Sequence, residues 1–537
     1  MCAANSRLQG HRGREVSRLP ARVVRRFRCC DLPGNPRRKT ALLINPPVYD
    51  TQYWAQWAQP YGLLRIAALL KRHRYKRLEL FDFMETDEKR QVPVHRINPD
   101  ESYEERDAPS SPTRPIPVAK DGEKINLFKK HFGKTWQEFE QWLDMQGFDK
   151  KHPPREVWIS VVMTYWWESV RDLTMRLKRR FGKKTTILLG GIYPTLAPRH
   201  AARMTSADLV VAGEVVEGND LWTDLSLYSN PPQYAVITPS RGCPFNCSYC
   251  AQRAINGRRR RVHHRSPEDI VAEMRHKHET HGVREFAFYA DAVLADFEGH
   301  FQRVLELLVE SKLPFHLHAP EGFDTRSLSK SQRLVDLMKQ AHFEKLYLPL
   351  EHLNESYLQT LNRGHARLDH FVQAVAMCDK AGFKLRNLDV NAFVLYGLPE
   401  ERIDEVVKTT LFVSEIVGSI IPMLFTPVPT TAIYRQYLAY FKKRGWDRDL
   451  HMLNGKLYPF LELNEGSVSD YIDLQRLMYT LNTHYRDASF RVFGDTRVAK
   501  SFRDNLTNGF ETVLARHKAV SSLGRASGQT RRRSREH

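Results

Sequence analysis

The feature that most constrains the fold is a repeated alternation of short apolar runs with segments of helical periodicity. In the first part of the chain, five apolar runs have the length and the flanking turn residues of buried strands: Thr40–Asn45, Leu78–Phe83, Glu156–Val162, Thr185–Gly190 and Asp208–Ala212. Helical patterns lie between them, as at Tyr61–Arg72. Because strands that alternate with helices pair in parallel and are covered on both faces, this series predicts an α/β fold with a doubly wound parallel sheet.

A second alternating series begins at Tyr234 and predicts six more strands: Tyr234–Pro239, Glu285–Tyr289, Pro314–His318, Lys345–Leu350, Asn387–Leu395 and Ile420–Thr426. Six strand–helix units are too few for a closed eight-stranded barrel, so this series predicts a partial (β/α)6 barrel. Both kinds of sheet bind their ligands beyond the carboxyl ends of the strands, and we therefore expect the site residues there.

These patterns divide the chain of 537 residues into five parts. They are a basic tail at 1–39, a sheet domain at 40–230, a partial barrel at 231–445, a helical region at 446–517 and a second basic tail at 518–537. An insertion at 84–155 interrupts the sheet domain. Its first half is rich in Pro, Ser, Asp and Glu and is predicted to be loop. Within its second half, Thr135–Met145 has the pattern of an amphipathic helix that covers one end of the sheet.

The formal charge of +20 lies mainly in the two tails, which carry +9 and +5. Arg-rich tails without apolar periodicity are predicted to be disordered, and the weakly basic remainder gives no support to nucleic-acid binding. No apolar run approaches the roughly 20 residues of a membrane span. Seven cysteines in so large a chain form no disulfide framework, so a reducing, cytoplasmic location is expected.

The chemistry concentrates in one loop, Arg241-Gly-Cys-Pro-Phe-Asn-Cys-Ser-Tyr-Cys250, which directly follows the first strand of the second series. Its cysteines, Cys243, Cys247 and Cys250, have the spacing Cys-x3-Cys-x2-Cys. Three thiolates on one short loop can bind three irons of a cubane cluster and leave the fourth iron without a protein ligand. A catalytic metal needs such an open position to bind a cofactor or a substrate.

Other interpretations of this loop remain open. A structural zinc ion needs four ligands, and His263 or His264 could supply the fourth. A redox disulfide would use only two of the three cysteines. The basic run Arg258–Arg261, with Arg265 beside it, is predicted to be a solvated flank of the loop or, alternatively, a contact for a substrate phosphate. Cys378 falls in a helical pattern and is predicted to be a buried, apolar residue.

With Tyr249 before its last cysteine, the loop resembles the signature of the radical S-adenosylmethionine (SAM) superfamily. The resemblance implies a [4Fe–4S] cluster held by Cys243, Cys247 and Cys250, with the amino and carboxylate groups of SAM on the fourth iron. It further implies that one electron from the cluster cleaves SAM to a 5′-deoxyadenosyl radical. An external electron donor, such as a flavodoxin or a ferredoxin, is then expected as a partner.

Later motifs extend the resemblance over roughly residues 232–440, at Phe288–Asp291, Pro349–Glu351, Val394–Glu401 and Thr426–Tyr434. The SAM-binding residues that it implies are Tyr249, Asp291, Glu351, Asn391 and Gly397. Three of them also have purely structural interpretations. Asp291 could cap a following helix, Glu351 could pair with a surface Arg or Lys, and Gly397 could serve a turn.

The sheet domain is similar to the cobalamin-binding domain that precedes the radical module in one branch of the superfamily. The matching segments include Asn45–Pro47, Leu189–Gly191 and Ala207–Glu214. At the strand ends, the resemblance implies a cobalamin site formed by Ser160, Thr164, Gly190, Gly191, Gly213 and Glu214. Because no Asp-x-His-x-x-Gly segment follows the first strand, no histidine from that loop is expected to ligate the cobalt.

Taken together, the resemblances predict a radical SAM enzyme that methylates an unactivated carbon of a small-molecule or biosynthetic-intermediate substrate. Methylcobalamin would be the methyl carrier. A first alternative is a rearrangement, cyclisation or oxidation without methyl transfer. A second alternative is a non-catalytic iron–sulfur or zinc protein that binds RNA through its basic tails.

Overall fold

The computed structural model describes residues 21–25, 27–28, 39–53, 57, 59–86, 94–96, 115–218, 220–230, 232–256, 261–385, 388–484 and 497. The predicted tail at 518–537 lies outside these residues, as does the helical region after 484 apart from residue 497.

The first strands are β1 (Arg22–Val24), β2 (Thr40–Asn45), β3 (Val48–Asp50), β4 (Arg77–Asp82), β5 (Val94–Arg96), β6 (Ile116–Lys120), β7 (Glu123–Leu127), β8 (Lys130–Phe132), β9 (Glu156–Val161), β10 (Thr186–Gly191) and β11 (Leu209–Val211). The helices among them are α1 (Tyr61–Arg72), α2 (Trp136–Met145), α3 (Trp167–Phe181), α4 (Ile192–Leu196) and α5 (Pro198–Met204).

Six of these strands form one parallel sheet in the order β1-β11-β10-β9-β2-β4. The central strand β2 is covered on both faces, because Leu42 and Ile44 lie in one hydrophobic core and Ala41 and Leu43 in the other. Burial on both faces explains why this strand is a continuous apolar run in the sequence. The predicted doubly wound parallel sheet is therefore confirmed.

The edge strand β1 corrects the expectation that all of residues 1–39 is disordered. Arg22–Val24 pairs in parallel with Leu209–Val211 and extends the predicted five strands to six. Two of its three residues are exposed and the third is only half-buried. Such a short, exposed edge strand has no apolar run by which its sequence could have revealed it.

The second half of the chain contains the barrel. Its strands are β12 (Tyr234–Ile237), β13 (Ser240–Arg241), β14 (His263–His264), β15 (Glu285–Phe288), β16 (His316–His318), β17 (Leu346–Glu351), β18 (Val390–Tyr396) and β19 (Ser419–Leu424). Its helices are α6 (Gln252–Ile255), α7 (Pro267–His281), α8 (Phe301–Ser311), α9 (Thr325–Leu328), α10 (Gln332–Gln340), α11 (Glu355–Thr360), α12 (Leu368–Lys380), α13 (Ile403–Ile416), α14 (Ala432–Gln436), α15 (Leu438–Lys443) and α16 (Val468–His484).

Six strands form the barrel wall as two parallel sheets, β12-β15-β16 and β17-β18-β19. A parallel bridge between Leu317 and Phe343 joins the two sheets, and the Phe323 N–H donates to the Tyr347 carbonyl at 2.8 Å. The predicted partial (β/α)6 barrel is thus confirmed. As predicted, Cys378 is completely buried, on helix α12.

A side-chain amide covers each outer strand of this open wall. Gln59 donates through Nε2 to the Tyr234 carbonyl at 3.2 Å and accepts through Oε1 from the Val236 N–H at 3.1 Å. Asn482 of α16 makes the corresponding pair of hydrogen bonds with the N–H and carbonyl of Ile420, at 2.8 and 2.7 Å. Each amide therefore imitates one residue of a neighbouring strand, and both lie outside the span predicted for the barrel.

The insertion is more regular than expected. Ile116–Lys120, at the end of the half that was predicted to be loop, forms an antiparallel hairpin with Glu123–Leu127, for which no element was predicted. Lys120 Nζ donates to the Gly466 carbonyl at 2.8 Å, and the Ser469 N–H donates to Glu123 at 2.8 Å, so the hairpin is held against α16. The predicted helix begins at Trp136 with Thr135 as its cap, and packs on the edge strand β4.

None of the helices in the described part of the chain is both long and apolar enough to cross a membrane.

Candidate active site between the sheet and the barrel

The cysteine loop leaves β12 at the carboxyl edge of the barrel. Its start is held by a short antiparallel ladder, in which Arg241 lies opposite His263. At Gly242 the backbone has φ +102°, and a Cβ there would lie 2.7 Å from the Arg261 carbonyl oxygen, so only glycine fits this turn. Beyond it, Cys247 is buried and Cys250 is exposed.

Asp291, at the end of the second barrel strand, fixes this loop. Its Oδ2 accepts hydrogen bonds from the Gly242 N–H at 2.7 Å and from Asn256 Nδ2 at 2.5 Å. Residues 291–300 form turns, so Asp291 caps no helix. The carboxylate therefore acts first on the backbone next to Cys243. Asn256 was not singled out from the sequence, because nothing local marks it.

The three thiols of the loop are close enough to influence one another. Burial raises the pKa of Cys243 to about 11, and the other two cysteines and Asp291 act in the same direction. Desolvation by the surrounding groups also raises the pKa of Cys250. Among the described residues, no group of three or more His, Cys, Asp and Glu is arranged so that it could hold a metal ion. A cubane cluster makes a different demand, because each cysteine ligates a different iron.

A buried ion pair lies against the loop. Arg363 donates through Nη2 to Glu351 Oε1 at 2.8 Å and through Nη1 to Cys247 Sγ at 3.6 Å. Burial raises the pKa of Glu351, and Arg363 opposes that shift. Glu351 thus pairs with a cation, as its structural interpretation proposed, but that cation is largely buried and touches the cysteine loop. Arg363 was missed from the sequence.

Two polar groups at this site are buried without a hydrogen-bond partner: Nε of Arg363, within the pair, and the Tyr249 hydroxyl. Buried polar groups are usually paired, so groups left over at one place indicate a ligand that pairs with them. Together with three thiols on one loop, they fit a cluster whose bound cofactor carries amino and carboxylate groups. The two other residues implied for SAM lie in internal contacts. Asn391 donates to the Leu388 carbonyl at 3.0 Å, and the Gly397 N–H donates to the Glu401 carboxylate at 3.0 Å.

A cavity of about 470 Å³ separates the carboxyl edge of the sheet from that of the barrel. Five of the six residues implied for cobalamin line it: Ser160, Gly190, Gly191, Gly213 and Glu214. The sixth, Thr164, is buried in a 3-10 turn and does not line it. From the barrel side the lining includes Thr238, Arg241, Tyr289, Asp291 and Glu321. The cavity thus lies where the six-stranded sheet and the barrel present their ligand-binding edges to each other.

The two glycines at the end of β10 have different roles. A Cβ on Gly191, where φ is +100°, would lie 2.5 Å from the Val161 carbonyl oxygen, so this glycine is required by the protein backbone itself. At Gly190 the nearest atom to an added Cβ is the Ile159 carbonyl oxygen at 3.9 Å, which leaves room for one. The Thr238 hydroxyl and Nε of Arg65 are buried at the cavity without a partner, which again fits a ligand.

Charges in the cavity are unevenly paired. Arg241 donates to the Tyr61 hydroxyl at 2.8 Å and lies 3.6 Å from the Glu214 carboxylate, so it connects the cysteine loop to the sheet. Glu321 is different: desolvation raises its pKa to about 8, and nearby Asp291 adds to the shift. No site role was predicted for Glu321 from the sequence, although it follows a barrel strand, where ligands bind.

The residues flanking the loop correct one expectation. Arg265 is not a solvated side chain, because it pairs at 2.7 Å with Glu273, and Glu273 in turn pairs with Lys277 at 2.8 Å. His264, considered as a zinc ligand, packs its ring 4.3 Å from that of His300. Of the basic run at 258–261, only Arg261 is among the described residues.

Comparison with known proteins gives a match to the radical SAM superfamily over residues 237–413. The bacteriochlorophyllide d C-8(2)-methyltransferase of Chlorobaculum tepidum is 24% identical over 310 residues, which are 48% of this chain and 63% of that protein. The anaerobic magnesium-protoporphyrin IX monomethyl ester cyclase of Synechocystis is 30% identical over 143 residues, 26% of this chain and 28% of that protein. The chain thus spans less than two thirds of either relative.

Among solved structures, the radical SAM methyltransferase TsrM from Kitasatospora setae, solved with cobalamin and a [4Fe–4S] cluster bound, is similar in fold. The TM-score is 0.51 at 13% identity, over 75% of each chain. At this identity the likeness concerns the fold, that is, a parallel sheet followed by a partial barrel. By the superfamily match, and by its own barrel and cysteine loop, the chain carries a radical SAM domain at residues 237–413.

Proposed function

We propose that this protein is a radical SAM enzyme that transfers a methyl group to a carbon atom of a small organic substrate, with a corrinoid bound between the sheet and the barrel. The observation that carries the proposal is the cavity next to the cysteine loop. The carboxyl edges of the six-stranded sheet and of the barrel line this cavity together. When bound, the cluster supplies an electron for cleaving SAM, and the corrinoid supplies the methyl group.

The chain's own residues would prepare the cluster site. Cys243, Cys247 and Cys250 would bind three irons, and Asp291 would hold the loop in shape through the Gly242 N–H. Arg363 lies beside Cys247 and keeps an unpaired Nε, so it would pair with the carboxylate of SAM. The Tyr249 hydroxyl, also without a partner, would take up a further polar group of that cofactor.

The corrinoid would lie against the sheet edge, where Gly190 and Gly213 leave the backbone accessible and Thr238 offers its hydroxyl from the barrel. The name of the Chlorobaculum relative, a methyltransferase, and the fold of TsrM support this assignment. We also propose a cytoplasmic location and an external flavodoxin- or ferredoxin-like reductant, in line with the free cysteines of the described chain.

The test is anaerobic reconstitution of the full chain with iron and sulfide. We expect about four irons per chain, 5′-deoxyadenosine on addition of SAM and a strong reductant, and tight binding of methylcobalamin. Alanine at Cys243, Cys247 or Cys250 should abolish iron binding and SAM cleavage, whereas Cys378→Ala, far from the loop on α12, should retain both. Tight zinc with no iron in the wild type would contradict the radical SAM chemistry.

A second candidate reaction is cyclisation or oxidation without methyl transfer. The observation that favours it is the cyclase of Synechocystis, which matches this chain at 30% identity over 143 residues. The two candidates differ in one measurable property, since only the methyltransferase needs the corrinoid as a methyl carrier. A protein that cleaves SAM but binds no methylcobalamin at micromolar concentrations would favour the second candidate.

A further inference from the structure

The cavity contains one acidic group whose chemistry the proposed function does not use. Glu321 follows β16, the third barrel strand, and lines the cavity with an exposed side chain. The residues implied for cobalamin line the opposite wall, on the sheet. Any ligand that fills the space between the two walls therefore covers this carboxyl group.

The surroundings of Glu321 offer it little compensation for a negative charge. Arg241 and the backbone of Ala290 lower its pKa, but their effect is smaller than that of desolvation, and no ion pair to Glu321 is found among the described residues. Two neighbours follow β15, and neither stabilises a negative charge on Glu321. Asp291 carries the same sign, and Tyr289 is a partly buried, neutral phenol whose pKa is raised by desolvation and by Glu321 itself.

Two arginines line the cavity, and both already contact other groups, although Nε of Arg65 has no hydrogen-bond partner. Arg241, on the barrel side, already contacts the Tyr61 hydroxyl and the Glu214 carboxylate. Arg65, on the sheet side of the cavity, lies over the Tyr61 ring at 5.0 Å. Glu214 is held by Arg241. Among these groups, Glu321 is the carboxyl whose pKa desolvation raises and which forms no ion pair with a described cation.

A corrin ring has amide side chains around its edge, and their oxygens accept hydrogen bonds. An ionised carboxylate can only accept, so it would face these oxygens unfavourably, whereas a protonated carboxyl can donate to one of them. Covering an unpaired carboxylate with a large ligand also removes its remaining water, which penalises the charged form further.

Building on the corrinoid site proposed above, we propose that Glu321 contacts the corrinoid as a neutral carboxyl that donates a hydrogen bond, so that corrinoid binding takes up a proton. Without a ligand, the pKa of this group is about 8. Binding raises that pKa further, because it favours the protonated form. Affinity is therefore full below about pH 8 and falls as the pH rises above it, by up to about tenfold per pH unit.

The test is titration of the full, iron-reconstituted protein with methylcobalamin, in the dark, at pH values from 6.5 to 9.5. Methylcobalamin is the probe because its methyl group replaces a cobalt-bound water that would itself titrate. We expect the dissociation constant of the wild type to rise at high pH, and that of Glu321→Gln to stay at its low-pH value throughout. Glu298→Gln, an exposed glutamate outside the cavity lining, is the matched control and should follow the wild type.

Calorimetry in two buffers with different heats of ionisation gives an independent readout, since it counts the protons taken up per corrinoid bound. Wild-type uptake should appear near pH 8 and vanish in Glu321→Gln. A wild-type affinity that does not change with pH overturns the inference, as does an equal pH dependence in Glu321→Gln. No binding by the wild type at any pH contradicts the corrinoid site itself, and with it this role of Glu321.

Discussion

At the scale of single residues, the cysteine loop depends on groups that are distant from it in sequence. Asp291 binds the backbone next to Cys243, and Arg363 touches the sulfur of Cys247. Asp291 follows the barrel strand β15, and Arg363 lies in the turn that follows helix α11. The local sequence of the loop therefore supplies the proposed cluster ligands, and residues distant in sequence fix the shape in which they are presented.

Asp291→Ala should lower iron binding and not only SAM binding. Without the carboxylate, the Gly242 N–H and Asn256 lose their acceptor, and the loop loses its fixed start. We expect clearly less than the wild-type iron content after reconstitution, measured by metal analysis and by the charge-transfer absorbance. Asp291→Asn, which keeps an oxygen acceptor, should retain most of the iron. A full cluster in Asp291→Ala would show that the carboxylate serves the cofactor alone.

Glu351 and Arg363 form the second test at this scale. Glu351→Ala leaves a buried guanidinium without its carboxylate, and we expect a loss of about 3 kcal/mol in the free energy of unfolding. The double variant Glu351→Ala/Arg363→Met should lose less than the sum of the single variants, because the unpaired charge is then gone. Denaturant unfolding of all four proteins measures the coupling, and strictly additive losses would contradict it.

The sequence alone led to the three cysteines as proposed cluster ligands, because their spacing is local and short. It could not identify Arg363, which meets Glu351 only through the bulge at the end of β17 and the turn that follows α11. Glu321 could have been found by inspecting every barrel-strand end. A single glutamate in Ala319–Phe323 nevertheless carries no signal of its own, since its unusual surroundings come from the cavity.

At the scale of elements, strands buried on both faces were predicted to within one to three residues, because burial makes them continuous apolar runs. The elements that were missed have mixed exposure. The hairpin at Ile116–Leu127 alternates buried and exposed residues within a polar insertion, and β1 is exposed at an edge. Their stability comes from partners elsewhere in the chain, such as α16 for the hairpin, and these partners are not visible in the local pattern.

The end of β10 gives a prediction that separates folding from cofactor binding. Gly190→Val has space near the backbone and should yield a folded protein that binds methylcobalamin at least tenfold more weakly, because the side chain occupies the cavity edge. Gly191→Val should fail to fold, since its Cβ collides with Val161. Circular dichroism and methylcobalamin titration distinguish the two. Normal binding by a folded Gly190→Val would place the corrinoid away from this strand end.

At the scale of the whole molecule, the carboxyl edges of the six-stranded sheet and of the barrel line one cavity together. Arg241 spans the boundary between them, because it lies next to the cysteine loop and contacts Tyr61 and Glu214 on the sheet side. Ligands that bind to either edge therefore meet in one space. This arrangement suits a reaction that requires two cofactors to reach the same substrate atom.

The amides that cover the outer barrel strands have a consequence for how this protein can be divided, in the laboratory or in evolution. Gln59 belongs to the sheet half and Asn482 to the C-terminal helix, so residues 231–445 alone would lose both covers. Uncovered strand edges associate with other strands. We expect that fragment to aggregate in size-exclusion chromatography, whereas the full chain elutes as a defined species. A soluble, monodisperse fragment would contradict this. If the expectation holds, the barrel cannot be exchanged between proteins as an independent module, and a recombined gene must inherit its neighbours on both sides.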